Sequence, residues 1–209
     1  MPSIERIKTV KSYKEFKHKE KGSVFIGQVH LINNEEMAIS ILESERKKYF
    51  DAAHHCYAYN LFYETGKFSD DGEPSGTAGI RIGNAIKHFD LTNIIVLVIR
   101  YFGGTKLGVG PLGKAYYHTA YETLKATEIS EKIRHVKIKI IFDYDMTSII
   151  HHNLSLFDAQ DIQNSFDVKP SIECCIKAEL FDKFTSKITD STKGNLEVLV
   201  VDHKVYIEK

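Results

Sequence analysis

Three short segments of the chain concentrate the residue types that can do chemistry. His54, His55 and Cys56 stand in a row; Asp70, Asp71 and Glu73 come just before Ser75, Gly76 and Thr77; and Arg100 is followed at short range by Gly103, Gly104, Thr105 and Lys106. The second and third segments share one pattern, a tight glycine-containing loop that delivers the chain into a helix start. Unpaired backbone N–H groups and the helix dipole make such starts anion sites, and glycine lets a ligand approach the backbone closely. Arg100 adds a planar donor fork and Lys106 a point charge, while Ser75, Thr77 and Thr105 add hydroxyls. Phosphate is the natural guest, and a nucleic-acid backbone is one source of it. Arg100 and Lys106 are therefore expected to contact phosphate, with the backbones of Ser75, Gly76 and Thr77 and of Gly103, Gly104 and Thr105 as donors. The alternative is that both loops are only demanding turns, with the neighbouring acids paired to Arg100 or Lys106.

Named motifs do not extend this. The loop lacks the P-loop spacing G-x-x-x-x-G-K-[ST]. Gly108, Gly110 and Gly113 match the dinucleotide fingerprint literally, but a proline interrupts it and no ribose-binding acid follows in a β-α-β unit. Asp70, Asp71 and Glu73 have the chemistry to hold Mg²⁺ or to act as acid and base, and equally that of a solvated turn with helix caps. His54 and His55 are neighbours, so on a strand they face opposite ways. Cys56 alone does not complete a zinc set, and no structural metal or cofactor is expected. Cys174 and Cys175 read as reduced packing residues. No nucleophile–base set can be assigned, because such sets are recognised by geometry.

The elements that must position these residues follow from periodicity. Extended segments are expected over 4–16 and 23–31, then a helix capped by Asn33 with Glu36 in capping-box spacing. A strand follows over 55–63, a turn-rich stretch over 66–76, and a helix with Ala78, Ile82, Ala85, Ile86 and Phe89 inward, where Gly79 and Gly83 would admit a close backbone. Residues 93–100 are aliphatic on both faces and read as a central buried strand. Pro111 opens a helix whose inward face is Leu112, Ala115, Tyr116, Thr119, Ala120, Thr123 and Leu124. After a short linker near Ser130, the order strand–helix–strand–strand–helix–strand is the ferredoxin-like split motif. In it, Asp143 or Asp145 caps a helix with Met146, Ile149, Ile150, Leu154 and Phe157 inward. The expected fold is α+β in two domains, 1–129 and 130–209.

The chain has 209 residues, 43% hydrophobic and 27% charged, with 28 basic against 28 acidic side chains. That is globular composition. A zero net charge argues against a surface that grips nucleic acid everywhere and leaves room for a local basic patch. The longest aliphatic run, 94–99, is far short of the roughly 20 residues that span a bilayer, and the start has no signal-like apolar stretch. A cytoplasmic protein with no membrane partner is expected.

The stretches 54–59, 70–79 and 100–110 together resemble the IMPACT/YigZ family. Lys21, Gly22, Ser23, Val24, Phe25 and Ile26 look like the family's first motif, a basic residue followed by S-R-F-I. Val24 stands where the family usually has a basic residue, Pro111 replaces a usual glycine, and Gly113 with Lys114 replaces an aliphatic–arginine pair. The second half is similar in layout to the small C-terminal domain of bacterial, YigZ-like members. The resemblance implies a first domain of the type found in a small-subunit ribosomal protein and in domain IV of elongation factor G, and a second similar to that factor's C-terminal domain. Eukaryotic members restrain a translation-controlling kinase by competing for its ribosome-associated activator, using an extra N-terminal domain that this sequence lacks. Regulation of translation carries over as a theme, and that partner does not. The expected function is non-enzymatic, around translation, with RNA or the ribosome as partner and a translation-related protein as a further one. Two alternatives stay open: an enzyme acting on a phosphorylated or peptide-like small molecule, and a protein-interaction module whose first-half motifs are structural.

Overall fold

A computed structural model describes residues 5–62, 64–166 and 169–208. The strands are β1 (Arg6–Val10), β2 (Lys14–Glu20), β3 (Ser23–Leu31), β4 (His54–Leu61), β5 (Glu64–Ser69), β6 (Ile94–Tyr101), β7 (Ile129–Phe142), β8 (Gln160–Phe166), β9 (Pro170–Lys177) and β10 (Leu196–Glu208). The helices are α1 (Glu35–Lys48), α2 (Gly79–His88), α3 (Val109–Lys125), α4 (Thr147–Leu156) and α5 (Phe181–Ser191). The chain divides into two compact units, Ile7–Ser130 and Glu131–Lys209 with the opening residues through Arg6. It is α+β, as expected.

In the first unit an antiparallel sheet runs β2–β3–β6–β4–β5. β6 is central because it can bury both faces. Ile94, Val96 and Val98 pack with Phe25, Val29, Cys56 and Ala58 against α2 and α3. Ile95 and Leu97 pack with Tyr59 and Leu61 against Ala38 and Leu42 of α1. The inward faces read for α2 and α3 are buried, from Ile82, Ala85 and Ile86 to Tyr116, Ala120 and Leu124. In the second unit the sheet order is β10–β7–β9–β8, all antiparallel. Numbered within the unit that is 4-1-3-2, the ferredoxin-like arrangement. Val136, Ile138, Ile140, Ile172, Cys174 and Ile176 pack there against Ile150, Leu154, Phe184 and Ile188.

Several local expectations are corrected. The cap of α1 is Asn34, not Asn33; its side chain accepts the Met37 N–H at 2.9 Å, which puts Met37 rather than Glu36 in the capping-box place. The first part of the turn-rich stretch is β5, an edge strand. α3 begins two residues before Pro111, which still lies in the first turn, where a missing N–H costs no helical bond. Neither Asp143 nor Asp145 caps α4: a 3₁₀ turn, Tyr144–Met146, precedes it without a side-chain cap, and Ile149 is 38% exposed rather than inward. The linker expected near Ser130 is instead the start of β7, with Ser130 buried. The expected segment ends at Ile4 and Tyr63 lie outside the described residues.

Candidate functional site

Strand register gathers the site. Arg100 of β6 lies opposite Phe25 of β3 and opposite His54 of β4, so these three side chains and Cys56 share the sheet face covered by α2 and α3. His55, one residue on, takes the other face, where its Nε2 lies 3.0 Å from the Tyr49 carbonyl. Burial pulls the His55 ring below its ordinary pKa against the opposing influence of Asp71 and that carbonyl.

The loop after β5 lays Glu73 onto Arg100. Their Oε1–Nη1 distance is 2.6 Å, and the side chains are only 4% and 5% exposed. Tyr116 of α3 donates its hydroxyl to the same Oε1 at 2.7 Å. The other terminal nitrogen of Arg100 reaches the Ser23 hydroxyl at 3.3 Å, which also accepts the Gly103 N–H at 3.2 Å. Phe25 and Phe102 lie 5.3 and 5.5 Å from the guanidinium carbon. Arg100 Nε is buried without a partner. His54 sits at the margin, a quarter exposed, with Nε2 3.8 Å from Glu73 Oε1. Its Nδ1 is 2.8 Å from the Asp71 carbonyl. A carbonyl only accepts, so Nδ1 carries a proton. Cys56 donates to the Asp70 carbonyl at 3.0 Å, and burial pushes its thiol up, away from thiolate chemistry.

The two neighbouring acids are also engaged. Asp71 accepts the His55 N–H at 2.6 Å and pairs with Arg46 of α1 at 2.5 Å. Asp70 closes the start of α2, accepting the N–H groups of Gly76 (2.9 Å), Ala78 (2.9 Å) and Gly79 (2.8 Å). Its carboxylate fills the anion site that sequence assigned to a ligand, and Thr77 turns its own N–H and hydroxyl to the Pro74 carbonyl. Burial pushes the Asp70 carboxyl up, but the three N–H groups outweigh it and hold its pKa below the ordinary value. A carboxyl depressed in the folded state stabilises above its unfolded pKa, about 3.9, and loses that contribution as pH falls toward the folded value. Asp70→Ala is expected to cost about 1–2 kcal/mol at pH 7, as capping residues do. Denaturant titrations should show the gap from wild type closing below about pH 4; a gap that stays constant through that range refutes the clamp.

The loop after β6 differs. Gly103 packs on Gly22 and Ser23, while Gly104, Thr105 and Lys106 are exposed. α3 starts with no side-chain cap and no acid in its first turn, and Val109 is 65% exposed.

The structure thus brings together Arg100, Glu73 and His54, with Asp70 and Asp71 close by, and leaves Lys106 apart from them. Arg100, expected to contact phosphate, has its guanidinium buried against Glu73. Of the backbone donors expected at 75–77, the N–H groups of Gly76 and Thr77 are taken by Asp70 and the Pro74 carbonyl. Of the acid pairings expected with Arg100 or Lys106, the Arg100 pair forms. Tyr116 and Arg46 were missed, the first read as core and the second on a helix far from any motif, while Ser23 was noted in the motif at 21–26 without a role in the site. Among the described residues no group of three His, Cys, Asp or Glu is arranged to hold a metal, and no helix is long and apolar enough to cross a membrane.

Residues 21–124 match the family model of the Impact N-terminal domain. The chain is 28% identical to an IMPACT family member of Haemophilus influenzae, over 92% of this chain and 95% of that protein. It is 30% identical to the IMPACT family member YvyE of Bacillus subtilis, over 91% of this chain and 88% of that protein. Among solved structures it is similar to the crystal structure of a hypothetical protein, with TM-score 0.71 and 26% identity over 97% of this chain and 100% of that one.

Proposed function

The chain belongs to the IMPACT family, and from that premise we propose that it is a non-enzymatic protein acting around translation, binding RNA or the ribosome by accepting phosphate at the loop 103–108. The observation that carries this is the contrast between two helix starts. That of α2 is filled by the protein's own Asp70, whereas that of α3 has no capping side chain and no acid in its first turn. Beside it Lys106 is exposed and makes no ion pair among the described residues. Cation, glycine backbone and N–H donors there match the needs of a phosphate.

Lys106→Ala should leave the melting temperature unchanged and weaken RNA or ribosome binding. It should also lower the slope of log affinity against log salt by about 0.7–0.9, the value of one lost phosphate contact. Identical affinity and slope for the variant would remove the loop from the site.

His54 supports a second function. With Nδ1 held by the Asp71 carbonyl, its Nε2 stands 3.8 Å from Glu73 Oε1, and Arg100, paired to the same oxygen, keeps an Nε without a partner. That is the equipment of a general base toward a phosphorylated or peptide-like small molecule. Turnover of such a compound that His54→Ala abolishes would support it; a metabolite panel left unchanged by the wild type counts against it.

A further inference from the structure

The exposed side of α2 and α3 carries a surface outside the loop and the Arg100 cluster. An open depression of about 590 Å³ lies between the helices, lined by Arg81 and Asn84 of α2 and by Lys114, Tyr117 and His118 of α3, with no acidic residue in its wall. A second depression, of about 280 Å³, shares Lys114 and His118 and adds His18 and Glu20 of β2. Gly113 lies in the wall of the first, where a Cβ would lie 3.3 Å from Arg81 Nε and 3.7 Å from the Thr77 carbonyl.

The wall has the two properties that single-stranded nucleic acid needs. The first is available positive charge. Arg81 and Lys114 are exposed and make no ion pair among the described residues. Arg81 spends only Nε, on the Gly76 carbonyl at 3.3 Å. The second is a fixed aromatic face. Tyr117 stacks on Tyr121 at 5.9 Å with 28° between planes, and Tyr121 is backed by Phe89 at 5.1 Å and His88 at 5.3 Å. A platform braced in this way loses little entropy when a base lands on it.

We infer that this α2–α3 track binds single-stranded RNA, with phosphates against Arg81 and Lys114 and a base stacked on Tyr117. The inference rests on the RNA-binding function proposed above and gives it a substrate class and a second surface. A duplex fits poorly, because its bases are already stacked and its phosphates alone meet the wall, whereas an unstacked base gains the exposed part of the Tyr117 ring.

The test is anisotropy titration of a short labelled oligouridylate across a salt series, with a matched RNA duplex and polyglutamate as competitors. Arg81→Ala and Lys114→Ala should each lower the salt slope by about 0.7. Tyr117→Leu, which keeps apolar volume, should weaken binding roughly 5- to 150-fold, the worth of one base stack, while Tyr117→Phe should not. The duplex should bind more weakly and be indifferent to Tyr117→Leu. If the single strand binds, Lys106→Ala weakens it, and the Arg81, Lys114 and Tyr117 variants bind like wild type, the track is refuted and the loop stands. If wild type binds no RNA even at low salt, the RNA function itself fails. Displacement by polyglutamate as effective as by oligouridylate, with no effect of Tyr117→Leu, overturns the inference in favour of an acidic protein partner.

Discussion

Arg100→Ala should lower the unfolding free energy of the Ile7–Ser130 unit by about 3–5 kcal/mol, the range for removing one partner of a buried ion pair. Both charges are almost wholly out of water, at 5% and 4% exposure. The loss arises less from the missing attraction than from what remains: a carboxylate whose close partners among the described residues are the Tyr116 hydroxyl at 2.7 Å and, more distantly, His54 at 3.8 Å. Glu73→Ala should cost a similar amount by stranding the guanidinium between Phe25 and Phe102. The double variant Arg100→Met with Glu73→Leu removes both charges and fills much of the volume. It should be more stable than either single variant, because replacing a buried pair by apolar groups is often neutral or better. Urea unfolding of the four proteins measures the cycle. A cost for Arg100→Ala under about 1 kcal/mol would mean the pair behaves as a solvated surface bridge, and the burial of this cluster would be wrong. The same cycle separates architecture from binding: if the double variant is folded and binds RNA with the wild-type salt slope, the ion pair holds the loops in place and takes no part in the contact.

Why sequence leaves the side of Arg100 open is a question of parity. On an amphipathic strand the side of each residue is legible from alternation. On β6 it is not, because Ile95, Leu97 and Ile99 on one face are as apolar as Ile94, Val96 and Val98 on the other. Nothing in the local pattern says that the next residue, Arg100, turns inward to α2 and α3. Tyr116 was legible as a core residue by its spacing on α3, yet spacing is silent about its hydroxyl, which needs a partner once buried. That an acid of this loop caps a helix was among the readings left open; which acid does so, and from where, was not legible. Capping signals are read within three residues of a helix start, and the Asp70 carboxylate reaches Ala78 and Gly79 from eight and nine residues upstream in the chain. The inward faces of α2 and α3 and the second unit's succession of strands and helices were legible because both show as repeated apolar spacing, which local sequence carries. β5 was not, because a six-residue edge strand interrupted by Gly66 looks like a turn.

The glycine loop illustrates the same limit, and it can be tested at one pair of residues. Sequence suggests that Gly103 and Gly104 both serve a left-handed turn. Only Gly104 has a positive φ, +82°, and a Cβ there would meet nothing within 4 Å. Gly104→Ala should therefore cost about 1–2 kcal/mol, the price of left-handed backbone for an L residue. Gly103 is glycine for space. A Cβ on it would lie 1.9 Å from the Gly22 carbonyl carbon and 2.2 Å from both the Gly22 oxygen and the Ser23 nitrogen. All three are backbone atoms of the turn between β2 and β3, so no rotamer change relieves the clash. The loop must move, and with it goes the Gly103 N–H bond to Ser23, the hydroxyl that also receives Arg100. Gly103→Ala should thus exceed the usual overpacking range, costing more than about 3 kcal/mol. It should also weaken RNA binding in the fraction that remains folded, because the loop carrying Lys106 is displaced. Thermal melts of the two variants side by side decide the point. If Gly104→Ala proves the more damaging, backbone conformation rather than close approach governs this loop.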